Sequence, residues 1–238
     1  MTIYLPPLDD NKPEHFPPIS SALDDPDGLL AIGGDLSPRR LASAYHQGIF
    51  PWFGVDEPIL WWSPSERAVI HPTRFSPQKS LRKFVRKNEY RVSINQRFDD
   101  VIQHCALIRG EDMVWITPEM RSAYKALHRQ GGAHSVEVWH GDELVGGLYG
   151  VSVGAMFCGE SMFSLKPNAS KTALWFFCEH FRRHGGQWVD CQMMTEHLAS
   201  MGAQAISRDA FLTELEALKK VKLDESVYTP QFLGVQDD

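Results

Sequence analysis

The chain has 238 residues, 43% of them hydrophobic, with a formal net charge of −6 and four cysteines. That length suits one large domain or a small domain joined to a larger one, and no apolar run approaches the roughly 18 residues that a membrane span needs. Cys105, Cys158, Cys178 and Cys191 form no C-x-x-C pair, which argues against a zinc ribbon or redox motif, and the N-terminus lacks the basic start and apolar core of a signal peptide, so a cytoplasmic protein with reduced thiols is expected.

Residues 1–65 are rich in proline, glycine and aromatics and predict a small, loop-rich N-terminal domain, with a larger domain over residues 66–238. Ser37 and Pro38 open a short helix, the serine as cap and the proline at the first helical position. Gly48 closes it. The aromatic runs Ile49-Phe50-Pro51-Trp52-Phe53 and Leu60-Trp61-Trp62 predict core or a domain seam, with a face for base stacking as the functional alternative. Gly33-Gly34-Asp35 lacks the strand-loop-helix setting of a phosphate loop.

Residues 76–87, SPQKSLRKFVRK, predict a helix capped by Ser76 with Pro77 at its first position. On a helical wheel Leu81, Phe84 and Val85 share one arc, and Lys79, Arg82, Lys83, Arg86 and Lys87 take the opposite one. Arg74 and Arg91 flank it. Five cations of one sign in an acidic chain repel each other unless a polyanion faces them, and a phosphate backbone is the expected partner.

Helices follow over residues 97–108 and 118–130, the second capped by Thr117 and stopped by Gly131-Gly132, with Trp115 just before it. Residues 134–140 and 143–149 alternate about the Gly141-Asp142 turn, a hairpin signal. A strand over residues 151–160 is expected to end near Cys158-Gly159-Glu160. A helix over residues 171–184, capped by Asn168 or Ser170, leads to a strand over residues 187–192. In one sheet such a unit is a parallel crossover. That topology puts Glu160 and Asp190 at strand ends on the edge where open α/β sheets bind ligands. By the two-residue period of a strand, Asp190 and Gln192 share one face and Val189 and Cys191 the other. A carboxylate and an amide pointing together into a cleft suit a base and its hydrogen-bonding partner.

The fold class is therefore α+β: a small N-terminal domain, then two helices, an antiparallel meander and a strand-helix-strand crossover. That order is typical of acyltransferases of the N-acetyltransferase type, by fold-level analogy. The turn over residues 164–169 has no glycine to cradle a pyrophosphate, which disfavours coenzyme A. A last helix over residues 208–220, capped by Ser207, serves the core, and the tail after Lys222 predicts no element. Two alternatives stay open: a thiol nucleophile at Cys191 or Cys158 with a histidine base, and a non-catalytic RNA-binding module.

The strings GLLAIGGDL, GIFPWF, WWSP, HSVEVW, ELVGGLYGV, FCGESMFS, NASKTAL and VDCQ resemble the leucyl/phenylalanyl-tRNA-protein transferases over about residues 16–208. The resemblance implies a cytoplasmic aminoacyltransferase that moves leucine or phenylalanine, and methionine weakly, from aminoacyl-tRNA to the α-amino group of proteins beginning with arginine or lysine, creating an N-degron. It implies a small N-terminal domain followed by an N-acetyltransferase-like domain. No cofactor, metal or membrane is expected, because the tRNA ester is already activated. Asp190 falls on the family's proposed base and Gln192 on its hydrogen-bonded partner. Glu160 falls on the residue that helps hold the aminoacyl end. Trp52, Trp115, Phe157 and Phe177 fall on aromatics around the donor side chain and terminal adenosine, and Leu148 stands in that pocket where relatives often carry methionine. The basic stretch with Arg74, Lys79, Arg82, Lys83, Arg86 and Lys87 falls on the region that holds the tRNA acceptor stem.

Overall fold

The computed structural model describes residues 5–108 and 115–234, and among them two mixed β-sheets and seven α-helices. The smaller sheet is built from β1 (Pro7–Leu8), β2 (Leu29–Gly33), β3 (Phe50–Pro51) and β4 (Leu60–Trp62), in the order β1-β2-β4-β3. Helix α1 (Pro38–His46) starts as expected, with the Ser37 hydroxyl accepting from the Arg40 N–H. Its buried residues include Leu41, Ala44 and Tyr45. Trp61 is also buried, and its indole N–H donates to the Gly33 carbonyl at 2.9 Å, so the aromatic run is core that also satisfies its one polar atom.

The larger sheet contains β5 (Glu66–Ile70), β6 (Arg91–Ile94), β7 (Ala133–His140), β8 (Glu143–Val153), β9 (Met156–Ser164), β10 (Trp188–Gln192), β11 (Gln204–Ser207) and β12 (Gln231–Leu233). Their order is β11-β5-β10-β9-β8-β7-β6-β12, and only the β9–β10 pair is parallel. The remaining helices are α2 (Lys79–Asn88), α3 (Phe98–Leu107), α4 (Pro118–Arg129), α5 (Ala169–Arg183), α6 (Glu196–Ser200) and α7 (Arg208–Leu218). Strand alternation divides the core in two. Cys158, Tyr149 and Phe163 join Tyr45, Trp61 and Tyr124 in one cluster, while Phe157 and Leu148 join Phe177, Phe181, Leu81 and Val85 in the other.

Three sequence expectations need correction. The strand expected over residues 151–160 is two strands, because the chain turns at residues 154–155 between β8 and β9. Gly154 has φ +58°, and a Cβ there would lie 2.2 Å from the Leu218 carbonyl oxygen. Glu160 is therefore in the middle of β9 and not at a strand end. Helix α5 begins at Ala169, and Asn168 precedes it in the left-handed conformation without a side-chain cap. The cap comes instead from β9, where the Ser164 hydroxyl accepts from the Ser170 N–H at 3.3 Å. Helix α2 begins at Lys79 after Gln78, two residues later than Ser76 and Pro77 predict.

The tail is structured as well. Residues 225–228 form a 3-10 turn, and β12 then pairs with β6. Val227 accepts from His180 Nε2 at 2.8 Å, and Tyr228 stacks on His134 at 3.6 Å. Residues 235–238 lie outside the described residues. Among the described residues no helix is long and apolar enough to cross a membrane.

Candidate active site

A cavity of about 650 Å³ opens between the β3–β4 loop, strands β8, β9 and β10, and helix α5. Trp52, Trp115, Leu148, Phe157, Phe177 and Glu160, the residues singled out for substrate in the sequence, all line it. Phe157 and Phe177 form its floor, buried and 4.4 Å apart between ring centroids. Trp52 is 41% exposed at the mouth. It meets Trp62 edge-on at 5.6 Å, and the Trp62 indole N–H donates to its carbonyl. The walls are therefore apolar and largely preformed, as small-molecule sites generally are.

Among the described residues, Glu160 is the one buried carboxyl group in this wall. Tyr124 on α4 donates to its Oε2 at 3.0 Å, and Tyr124 is joined in turn to Tyr45 on α1 at 2.5 Å between hydroxyl oxygens. The Gln192 amide donates to Oε1 at 2.6 Å. Burial raises the pKa of Glu160 to about 7, helped by the charge of Asp190, against the lowering effect of its tyrosine and glutamine hydrogen bonds. A carboxyl group that exchanges its proton near neutrality is suited to general acid–base work.

Asp190 does not share that face, which corrects the strand-period reading. It is fully buried and forms a two-pronged ion pair with Arg67 of β5: Nε donates to Oδ1 at 3.0 Å and Nη2 to Oδ2 at 2.8 Å. Arg67 Nη1 donates to the Gly48 carbonyl, and the guanidinium lies over the rings of Phe50 and Phe211 at 5.0 and 4.3 Å. The alternation fails because the β10–β5 register shifts between Asp190 and Gln192, and Gln192 has φ +64°. Such a bulge re-aims a side chain. Here it sends Gln192 into the cavity beside Val189 and Cys191. Gln192 bridges the two acids, since its backbone N–H donates to Asp190 Oδ1 at 2.9 Å while its amide reaches Glu160.

The thiols are poor nucleophiles. Burial pushes the pKa values of Cys158, Cys178 and Cys191 up, and it is the thiolate that attacks.

Helix α2 presents its cations as the wheel predicts. Arg74, Lys79, Arg82, Lys83, Arg86 and Lys87 are exposed, and none forms an ion pair among the described residues. Leu81 and Val85 are buried in the same cluster that holds Phe157 and Phe177. The guanidinium of Arg82 sits 6.0 Å from the Trp175 ring. One layer of side chains thus joins the basic face to the cavity floor.

Sequence reasoning missed Arg67, Tyr45 and Tyr124. Arg67 lies 123 positions from Asp190, and no local pattern marks such a pair. The tyrosines sit on helical apolar faces, where an aromatic reads as core.

A transferase is the class of enzyme that such a site serves, taking an apolar group delivered on a polyanionic carrier. Sequence comparison carries this to a family. The model described as leucyl/phenylalanyl-tRNA protein transferase matches residues 69–216, that of its N-terminal domain matches residues 34–65, and the chain belongs to this family. A leucyl/phenylalanyl-tRNA–protein transferase of Vibrio atlanticus is 57% identical over 233 residues, covering 98% of each chain. One of Vibrio cholerae is 57% identical over 236 residues, covering 98% of this chain and 96% of its own. Among solved structures, a conserved protein of unknown function from Bacteroides thetaiotaomicron aligns with a TM-score of 0.43 at 11% identity, over 57% of this chain and 53% of that one, a likeness too slight to bear on function.

Proposed function

We propose that the chain moves leucine or phenylalanine, and methionine weakly, from aminoacyl-tRNA to the α-amino group of proteins beginning with arginine or lysine, marking them for degradation in the cytoplasm. The observation that carries this reading is the apolar cavity with the buried carboxyl group of Glu160, its pKa raised to about 7, in its wall. The donor side chain and terminal adenosine occupy the aromatic walls, Trp52, Trp115, Phe157 and Phe177, with Leu148 beside them. An apolar pocket discriminates by only about 1–3 kcal/mol per methylene, so methionine enters at a lower rate.

The acceptor amine attacks the ester carbonyl carbon. The C–N bond forms, the ester C–O bond breaks, and the ribose hydroxyl of the tRNA leaves. The amine must lose a proton on the way. Glu160 faces the cavity, takes it and returns it to the departing ribose oxygen, while Asp190 acts through Gln192, fixing the amide that orients Glu160. Strand β9, helix α5 and the parallel strand β10 support placing this chemistry in an N-acetyltransferase-like domain over residues 66–238, with a small domain over residues 1–65.

The test is transfer of labelled leucine from Leu-tRNA to two peptides that differ only in their first residue, arginine or alanine. Label on the arginine peptide alone is the expected result. Absence of label on both, with the tRNA still bound, would leave a binding module in place of an enzyme.

The basic face of α2, with Arg74, is proposed to hold the acceptor stem. Each phosphate contact adds roughly 0.7–0.9 to the slope of log affinity against log salt. Replacing Lys79, Lys83 and Lys87 by alanine should flatten that slope by about two units if most of these lysines touch phosphate. Filter binding across a salt series measures it. An unchanged slope would move the tRNA elsewhere.

A further inference from the structure

The charge lining the cavity is one-sided. Among the described residues no lysine or arginine lines it, and its ionisable groups include Glu160, Glu57 and His197. Partial desolvation and the charge of Lys171 push the pKa of His197 down from its ordinary value. Two lining carboxyl groups, with no lysine or arginine among the described lining residues, suit a ligand that brings positive charge.

The two acids differ in what they can do. Both oxygens of Glu160 already accept hydrogen bonds, from Gln192 and Tyr124, and its proton comes and goes near neutrality. Such a group serves an amine that must shed a proton. Glu57 is built otherwise. It lies in the β3–β4 loop at the mouth, exposed, beside Trp52 and Val55. Its Oε2 accepts from the Gly54 N–H at 2.7 Å, and Oε1 has no partner among the described residues. A Cβ at position 54 would lie 3.2 Å from that Oε2, so the glycine leaves room for the carboxylate to fold back. The loop is held by the Trp52 N–H, which donates to the Leu60 carbonyl at 3.0 Å. The outcome is an oriented carboxylate, one oxygen fixed and the other free, at the rim of a cavity whose deep carboxyl is already engaged.

We infer that Glu57 is the specificity-determining residue that recognises the cationic side chain of the acceptor's first residue. The inference rests on the proposed aminoacyl transfer. With the α-amine directed at Glu160, the side chain of the same residue extends toward the mouth. A guanidinium or ammonium there finds a charge-assisted hydrogen-bond acceptor, partly screened by water.

The experiment compares wild type, Glu57→Gln and Glu57→Asp, with labelled Leu-tRNA as donor. Acceptor peptides begin with arginine, with citrulline (the neutral isostere of arginine), or with alanine. In wild type, kcat/KM for arginine should exceed that for citrulline by roughly five- to tenfold. Glu57→Gln should bring this ratio close to one through a higher KM for the arginine peptide, with the KM for Leu-tRNA unmoved. Glu57→Asp should restore part of the preference. A wild-type ratio retained in Glu57→Gln would overturn the inference while leaving the transferase intact, as would equal use of arginine and citrulline by wild type. Absence of label on every peptide with wild type would overturn the transfer reading itself, and the role of Glu57 with it.

Discussion

Glu160→Gln is expected to slow aminoacyl transfer by about 10²–10⁴-fold, the usual contribution of a positioned general base, while leaving tRNA affinity within about twofold because phosphate contacts dominate it. The amide cannot take a proton from the amine, yet it occupies the same volume beside Tyr124 and Gln192. The dependence on pH separates this role from a merely structural one. As pH rises through about 7, Glu160 loses its proton and becomes able to accept one, so kcat/KM of the wild type should climb over that range. The acceptor amine, with an ordinary pKa of about 7.7–8.0, adds a second rising limb. In Glu160→Gln only the amine's limb should remain, and two surviving limbs would place the proton elsewhere. Stability moves the other way. A carboxyl group raised from 4.5 to about 7 stabilises the fold fully below 4.5, and this contribution is lost as pH rises through about 7. The variant should therefore melt higher than wild type in mildly alkaline buffer.

Arg67→Met should produce the largest loss of stability. It leaves Asp190 buried without its counter-ion, an arrangement that typically costs about 3–5 kcal/mol. For a chain of this size each kcal/mol lowers the melting temperature by about 2–4 °C. The substitution also removes the link from Arg67 to the Gly48 carbonyl and to the rings of Phe50 and Phe211. The double variant Arg67→Met with Asp190→Leu removes both charges and should recover most of the melting temperature, since apolar replacements for a buried pair are often neutral or better. Transfer activity separates the two duties of Asp190. A double variant that is stable yet inactive shows that the Asp190–Gln192 contact serves the reaction. Recovery of both stability and activity would make Asp190 a folding residue alone. A single variant that melts within about 2 °C of wild type would remove the ion pair from the account of stability.

Much of this molecule was legible in its sequence where the signal is local. Ser37, Thr117 and Ser207 each cap a helix with a side-chain oxygen, as their spacing to the following apolar stripe indicates. The Gly141-Asp142 turn joins β7 to β8, and β9 and β10 are parallel as a strand-helix-strand unit requires. The remainder depends on partners distant in sequence. Gly154 turns the chain in a space bounded by Leu218, and an apolar run around a lone glycine reads as one strand. The re-aiming of Gln192 comes from a non-glycine residue at positive φ, which no residue type announces. Asp190 and Gln192 were both legible as site candidates. The direction each faces was not, since one bulge reverses the parity on which that reading rests. The tail was missed because β12 spans only three residues and shows no periodicity of its own.

The chain of hydroxyls from Tyr45 through Tyr124 to Glu160 joins a helix packed against the small sheet to the cavity wall in the large one. These hydrogen bonds favour the charged form of Glu160, so proton occupancy at the cavity and docking of α1 are thermodynamically linked. The linkage is reciprocal by necessity. If firm seating of α1 makes Glu160 a stronger acid, then each proton that Glu160 takes up loosens the seat of α1 by the same free energy. In the proposed reaction, each uptake and release of a proton by Glu160 would weaken and then restore the hydrogen-bonded link between α1 and the cavity wall.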